Sequence, residues 1–461
     1  MKTILKPLCG GLVLCLALAG CGGGGGNTGA GALPLGTSGT AGTGVTGSPA
    51  APFTVAVTVN GAAASPDGAG IFKVKAGDTV VVTPSQSANW SSVNGTSGAI
   101  TLRNPRISEN EWASQLVNTL ATEAQYTVTA NAGTTLTAAT IFSVAAGDAR
   151  NGSYKVFATN GTRPTLTLNL DTKTYDMRDS TGAAVSGSIG EDPGATGTYI
   201  FDSSRITGTN TARFRLAQDT VVGAFPFVVT QSATESYAVQ PFVASRALET
   251  SPAALDGVYN RFGIDVAAAS ASSTISQFQI SGNGATLIRC TDNTIYRVDN
   301  CPAGSLQTWT VSPGNTADTW KMTEVANPAN YSTFAVAQLG GQKIFLIAGK
   351  LLADPLASVF RIGVSESSAW PTGTGYGGST KGSWGTVNVQ ANDSTRSAVA
   401  ADGTISSAHN NFGVLGALGP QGIRPITNGD PYFAMQGAKI FAIVGANGPP
   451  TAGYLQINLM D

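Results

Sequence analysis

The sequence predicts an all-β chain: an N-terminal immunoglobulin-like sandwich carrying one short helix, then three related antiparallel β units of meander or barrel type. Three observations predict it. Charged side chains make up only 11% of 461 residues while glycine reaches 58, a balance found in secreted β-rich proteins rather than helical ones. Short stretches alternate apolar and polar residues with period two. A two-strand signature also recurs along the second half of the chain.

The first domain spans 53–148. Thr54-Val55-Ala56-Val57-Thr58-Val59 alternates, Asn60-Gly61 signals a turn, and Ile71 to Lys75 and Asp78 to Val82 continue the pattern, as strands do. Tyr126 to Ala130 and Thr140 to Val144 add two more strands, enough for a small sandwich. One helix is expected to interrupt it. Ser108-Glu109-Asn110-Glu111 reads as a capping box, with Trp112, Leu116 and Leu120 following at helical spacing.

The remaining chain divides into units at 149–250, 251–368 and 369–461. Gly341-Gln342-Lys343-Ile344-Phe345-Leu346-Ile347-Ala348-Gly349 and Gly437-Ala438-Lys439-Ile440-Phe441-Ala442-Ile443-Val444-Gly445 match at six places. Each is followed by a second strand, Val359-Phe360-Arg361-Ile362-Gly363-Val364 in one and Tyr454-Leu455-Gln456-Ile457-Asn458-Leu459 in the other. A looser copy runs from Val221 to Val229 and on to Tyr237-Ala238-Val239-Gln240. Gly-x-aromatic strand starts precede them at Gly152-Ser153-Tyr154, Gly257-Val258-Tyr259 and Gly382-Ser383-Trp384. The repeated strand is apolar on both faces, so it should lie mid-sheet with a layer on each side. Lys343 and Lys439 at the strand starts are expected to guard against edge pairing. Three barrels in a row and one larger assembly both fit.

The amino terminus gives an address. Lys2 and Lys6 precede an apolar run, Leu8 to Ala19, which is too short for a permanent membrane span and reads as a secretion signal covering 1–20. Directly after it, Leu18-Ala19-Gly20-Cys21 resembles the lipobox of bacterial lipoproteins at every position. The resemblance implies diacylglyceryl transfer to the Cys21 thiol, cleavage before it and acylation of the new amino terminus. Three acyl chains anchor a protein stably. Gly22 stands where inner-membrane lipoproteins often carry Asp, so the resemblance points to the outer membrane, with the body surface-exposed or facing the periplasm. Residues 21–52 are rich in Gly, Thr and Ala without charge, the composition of a flexible tether.

Losing Lys2 and Lys6 with the signal moves the formal charge from −1 to about −3. No Lys/Arg run appears, which excludes a basic nucleic-acid surface. Cys290 and Cys301 are the cysteines left after Cys9 and Cys15 depart and Cys21 is acylated, and an oxidising compartment predicts a disulfide between them, stapling a hairpin.

Catalytic signatures are sparse. His409, the one histidine, lies in a polar stretch with turn character, and no G-x-S-x-G elbow exists. Gly373-Thr374-Gly375-Tyr376-Gly377-Gly378 fits a dinucleotide fingerprint only literally, lacking strand-to-helix context. Asp171, Asp176 and Asp179 lack calcium-loop spacing and read as strand-end and turn acids. No cofactor or metal site is expected. Trp370, Tyr376 and Trp384, set among Pro, Gly, Ser and Thr, are the candidate ligand-binding residues, as rings on a loop that stack on sugars or anchor a protein; the alternative is that they cap the apolar end of a β unit.

These features together predict a non-enzymatic, lipid-anchored envelope protein that binds an extracellular protein or glycan or serves surface structure. Two alternatives stand beside it: a polysaccharide hydrolase with paired carboxylates among Glu191, Asp192 and Glu324, and a carrier whose barrel holds a small ligand. Oligomeric state is left open.

Overall fold

In the computed structural model the described residues are 52–461, apart from 96–97, 231–235, 268, 317, 352–353 and 355. The signal segment, Cys21 and nearly all of the glycine-rich tract lie outside them.

Residues 53–148 form a two-sheet sandwich. A five-stranded sheet contains Val55–Val59, Thr79–Pro84 and Glu111–Asn118, and a four-stranded sheet contains Ala124–Ala132 and Leu136–Val144. Val57, Val80, Val82, Trp112 and Leu116 from the first meet Tyr126, Val128, Phe142 and Val144 from the second. The short strand Ile71–Val74 joins the smaller sheet in parallel with Leu136–Val144.

The expected helix is absent, and a hairpin takes its place. Ile100–Ser108 pairs with Glu111–Asn118 across a Glu109-Asn110 turn, with Ser108 opposite Glu111. A spacing of four is also an even multiple of two, so Trp112 and Leu116 share one face of a strand as readily as of a helix. The alternation was hidden because Ser114 and Asn118, between and after them, also face inward and are each only 1% exposed. Both are hydrogen-bonded: Ser114 donates to the Arg103 carbonyl, and Asn118 donates to the carbonyls of Thr122, Val144 and Ala145.

The rest of the chain builds three eight-stranded antiparallel units. Strands from Gly152–Ala158 to Ser236–Ser245 close into one barrel, the first pairing with the last. Those from Gly257–Val266 to Ser358–Ser365 close into a second. The third, from Gly373–Ser379 to Leu455–Met460, has the same order but an interrupted seam. Its outer strands Ile405–Asn411 and Ile423–Pro425 share no ladder; they meet through the bridge between Phe412 and Ile426, two flanking main-chain bonds, Gly413 to Pro425 and Thr427 to Asn411, and side-chain bonds of Thr427 and Asn428 to Asn411 and His409. The first strand of this unit is Gly373–Ser379, so Gly382-Ser383-Trp384 marks the turn into its second strand rather than the unit's start.

Each unit uses both faces of its strands. Inward-facing Phe225 and Phe242, or Phe345 and Ile347, or Phe441 and Ile443, fill the unit's own interior. Outward-facing Val222 and Val243, Ile344, Leu346 and Ile362, and Ile440, Ala442 and Ile457 converge in one shared core among the three units. The repeated strands are therefore apolar throughout because they have a layer on each side.

The hairpin turns before those strands also converge. Gly340 N–H donates to the Gln218 side chain (3.3 Å), and Ala438 N–H donates to the Gln342 side chain. Arg215 pairs with Asp461 to join the first and third units. Gln218, Ala438 and Lys439 hold φ of 51°, 51° and 59°, a left-handed conformation that costs a non-glycine residue roughly 1–2 kcal/mol. The lysines do not guard edges. Gln342–Lys350 is flanked on both sides within a closed barrel, where Lys343 donates to the Asp256 carbonyl at 2.6 Å, and Lys439 belongs to a turn.

Cys290 and Cys301 are bonded, with Cα atoms 5.7 Å apart. The bridge closes the loop leaving strand Thr286–Cys290 rather than crossing between two strands, since Cys290 lies opposite Leu306. Within that loop Val298 N–H donates to Gln277 (2.9 Å), and Arg297 N–H donates to the Leu418 carbonyl of the third unit (2.8 Å). Replacing both cysteines with serine is expected to lower stability by about 2–3 kcal/mol in a urea titration, from the entropy that a short closed loop removes from the unfolded chain; a reductant should do the same to the parent protein and nothing to the variant.

Candidate functional site

Alternation along Gly257–Val266 turns Tyr259, Arg261, Gly263 and Asp265 into the second barrel, while Phe262 and Ile264 face the shared core. By the same parity Arg289 on Thr286–Cys290 and Arg361 on Ser358–Ser365 point inward. One end of the lumen is filled by rings. Tyr259 stacks on Phe278 at 5.0 Å, and Phe345 lies 4.7 Å from Phe278 and 4.8 Å from Phe334. The other end is a cavity of about 840 Å³ bordered by Arg261, Arg289 and Arg361, with Trp309, Met322, Ile347 and Val359 on its walls.

The three guanidinium groups differ in how they are held. Arg361 donates to the carbonyls of Ile264 (2.6 Å) and Phe360 (2.9 Å) and pairs with Asp265 at 2.6 Å. Arg289 donates to Gln307 and lies 5.8 Å from the Trp309 ring centre. Gln307 and Asn330 in turn donate to Glu324 at 2.5 and 2.7 Å. Arg261 is only 5% exposed, its Nε is buried, and its guanidinium forms no hydrogen bond or ion pair among the described residues. Burial, then repulsion from Arg289 and Arg361, holds Arg261 well below its usual range, with Asp265 pulling the other way. Burial followed by Arg361 lowers Arg289 as well. Arg289 Nε, Trp309 Nε1, Thr274 Oγ1 and Ser276 Oγ are also buried without partners, and Ser276 stands opposite Arg261 in the ladder.

Gly263 makes room for this arrangement. A Cβ there would come within 2.1 Å of Arg361 Cδ and 2.7 Å of Thr274 Oγ1. The mouth is shared with the first barrel, whose 161–164 turn leans over it. Gly161, at φ 81°, approaches so closely that a Cβ would stand 2.1 Å from the Gly349 carbonyl oxygen. Arg163 donates to the carbonyls of Ala348 and of Thr333 (2.7 Å), and burial pushes it down to about 10. Lys350 donates to Ser358 Oγ at 3.0 Å, and burial lowers it too.

The first barrel shows what this lumen would otherwise be. Tyr154 and Tyr259 hold matching places, each hydroxyl donating to the carbonyl four residues back, Arg150 at 2.6 Å and Leu255 at 2.7 Å. From that alignment the ladders put Val156, Phe242 and Met177 where the second barrel has Arg261, Arg361 and Arg289. Three apolar side chains of a packed interior are thus replaced by three arginines around a cavity.

The aromatic residues singled out from the sequence do not meet, and of the three only Trp370, between strands Ser358–Ser365 and Gly373–Ser379, stands on a loop. Tyr376 and Trp384 lie on the paired strands Gly373–Ser379 and Trp384–Val389. Trp384 is 4% exposed within the first barrel's cluster. Tyr376 packs against the same cluster with Arg215 4.2 Å over its ring. Trp370 contacts Phe412 and Phe441 at 5.1 and 6.3 Å, in the third unit's interior, under Arg424. His409 stands on strand Ile405–Asn411 rather than a turn, exposed and 3.8 Å from Asp393. Of the paired-carboxylate candidates, Asp192 is bound to Arg213 in the first barrel while Glu324 is in the second. Among the described residues no group of three or more His, Cys, Asp or Glu side chains is placed to hold a metal ion.

The arginine cavity was not anticipated from the sequence. A signal existed: Arg361 lies in a doubly apolar strand whose copy in the third unit has Gln456 and Asn458, both buried and inward, at corresponding parity. Trp384→Ala is expected to cost about 3–5 kcal/mol, the usual loss for deleting a buried ring, as measured by urea denaturation.

No protein-family model and no curated protein matches this chain. Among solved structures, a DUF4784 family protein from Bacteroides caccae aligns over 76% of this chain and 95% of its own, at 8% identity and a TM-score of 0.16; so low a score carries no argument.

Proposed function

We propose that this chain is a lipid-anchored, non-enzymatic binding protein of the cell envelope that takes up an oxyanion-bearing ligand in its second barrel. The observation that carries the reading is Arg261, a buried and unpartnered arginine at the wall of an accessible cavity. Leaving a charge buried and unpaired costs several kcal/mol, and a bound anion removes that cost. Guanidinium forks suit carboxylate and phosphate oxygens because two parallel N–H groups meet two oxygens. Neighbouring orphans, Arg289 Nε and Trp309 Nε1, are donors as well. A non-catalytic role is supported by the acids in and beside the cavity, since Asp179 at its rim accepts from the Thr181 hydroxyl and the Ala183 N–H, Asp265 is held by Arg361, and Glu324 by Gln307 and Asn330.

Outer-membrane attachment through Cys21 rests on the lipobox and the apolar run before it. The uncharged tract behind Cys21 gives the body reach from the membrane. Labelled palmitate should be incorporated into the parent chain and not into Cys21→Ser, which should leave the membrane fraction; equal labelling of both would remove the anchor from the proposal.

The binding reading is tested by thermal melting in a series of carboxylates, phosphate and sulfate at constant ionic strength. A ligand at 100 times its Kd should stabilise by about 2.7 kcal/mol. Arg261→Gln should abolish that response while matching or exceeding the parent's stability without ligand, because it removes an uncompensated charge. A variant that melts far lower yet responds to anions as before would overturn the reading.

A further inference from the structure

We infer that the ligand is a hydroxylated sugar acid, a uronic acid residue at the end of an acidic polysaccharide, entering carboxylate first. This inference rests on the anion-binding reading above and narrows it.

Orientation follows from what is full and what is open. Beyond the arginines the lumen is closed by Tyr259, Phe278, Phe334 and Phe345, buried and in mutual contact. No part of a ligand extends past the guanidinium layer, so its acidic group is its deepest part and the remainder points to the mouth. The way out carries amide and hydroxyl side chains from both barrels, Asn330, Ser332 and Thr333 from the second and Thr162 and Ser180 from the first, beside the charged Lys350 and Asp179. An acyl chain leaving the arginines would lay its methylenes along these groups and into water, against the hydrophobic effect. Sugar hydroxyls would instead find donors and acceptors there.

Size and wall chemistry point the same way. About 840 Å³ falls in the range of sites for whole small molecules, far beyond a bare phosphate or sulfate. The apolar walls include Trp309 and, at the rim, Tyr331, which is 44% exposed with Lys321 4.5 Å from its ring centre. Rings with a polar edge and an apolar face suit the C–H face of a pyranose. Thr162 and Ser180 are exposed at the same opening, so a sugar seated inside can continue as a chain outside.

The test is isothermal titration calorimetry of the full acylated chain in neutral detergent with D-galacturonate, D-glucuronate, the parent sugars galactose and glucose, inorganic phosphate and dodecanoate. At least one uronate should bind, its parent sugar at least 100-fold more weakly, with binding lost in Arg261→Gln. Tyr331→Ala, a rim change that leaves the arginines in place, should weaken the uronate about three- to ten-fold and leave phosphate unchanged. Phosphate binding as tightly as the uronates, with Tyr331→Ala affecting neither, would overturn the sugar-acid assignment and leave the anion reading standing. Tighter binding of dodecanoate would do the same in favour of an acyl ligand. Failure of every anion to bind would remove both.

Discussion

The structure depends on strands that bury both faces at once. An isolated eight-stranded barrel buries its inner face and wets its outer one, and the outward residues of Gln342–Lys350 and Ile440–Gly445 would then leave Ile344, Leu346, Ile440 and Ala442 in water. They are instead fully buried in the core shared by the three units. No unit can be removed without stripping the outer faces of the others. Hydrophobic burial scales with apolar area, so this shared layer, and not the individual lumens, joins residues 152–460 into one assembly. Non-glycine residues in left-handed turns at Gln218, Ala438 and Lys439 are tolerated there because the surrounding packing over-determines the backbone.

That division of labour explains how the second barrel can afford a hollow, charged interior. The first barrel fills its lumen with Tyr175, Phe201, Phe214, Phe225 and Phe242, ring against ring. The second keeps half of such a plug and gives up the other half, placing arginines at positions equivalent to Val156, Met177 and Phe242. Its outer face remains apolar and its ladder unbroken, so the loss falls on the lumen alone. A buried charge without partners contributes nothing to folding. Buried polar atoms that break the rule of satisfaction are expected where a protein gives up stability for function, and here three of them, on Arg261, Arg289 and Trp309, belong to residues lining one cavity.

Much of this fold was legible and most of the site was not, for one physical reason. Period-two alternation and the repeated Gly-Lys-Ile-Phe strands depend on local sequence, and they pointed to β units and to two-sided burial. Trp112 and Leu116 misled because their spacing satisfies both periods and inward Ser114 and Asn118 masked the strand. The cavity is nonlocal: Arg261, Arg289 and Arg361 are far apart in sequence and become neighbours only when ladders set Gly263 beside Arg361 and Phe278 beside Arg289. Aromatic residues in a Gly-rich stretch looked like a binding loop because composition cannot tell an exposed loop from strands whose glycines permit close backbone approach. Gly377 shows this, since a Cβ there would lie 1.8 Å from the Ile457 carbonyl oxygen.

The disulfide loop and the 161–164 turn embed the cavity in the assembly from two sides. Arg289 immediately precedes Cys290, and the bridged loop that follows is docked on the third unit through Arg297 and on the second barrel's outer face through Gln277, itself bonded to Asn260 at 3.0 Å. Asn260 is the neighbour of Arg261 and also donates to the Gln421 carbonyl of the third unit. The backbone that carries two of the three arginines is therefore fixed from outside by the third unit, while the first barrel supplies Arg163 and Gly161 at the mouth. Side chains whose supports are rigid lose less entropy on engaging a ligand. The three-unit architecture thus serves the proposed site as well as the fold: the second barrel keeps an open cavity, and the other two units hold it in shape.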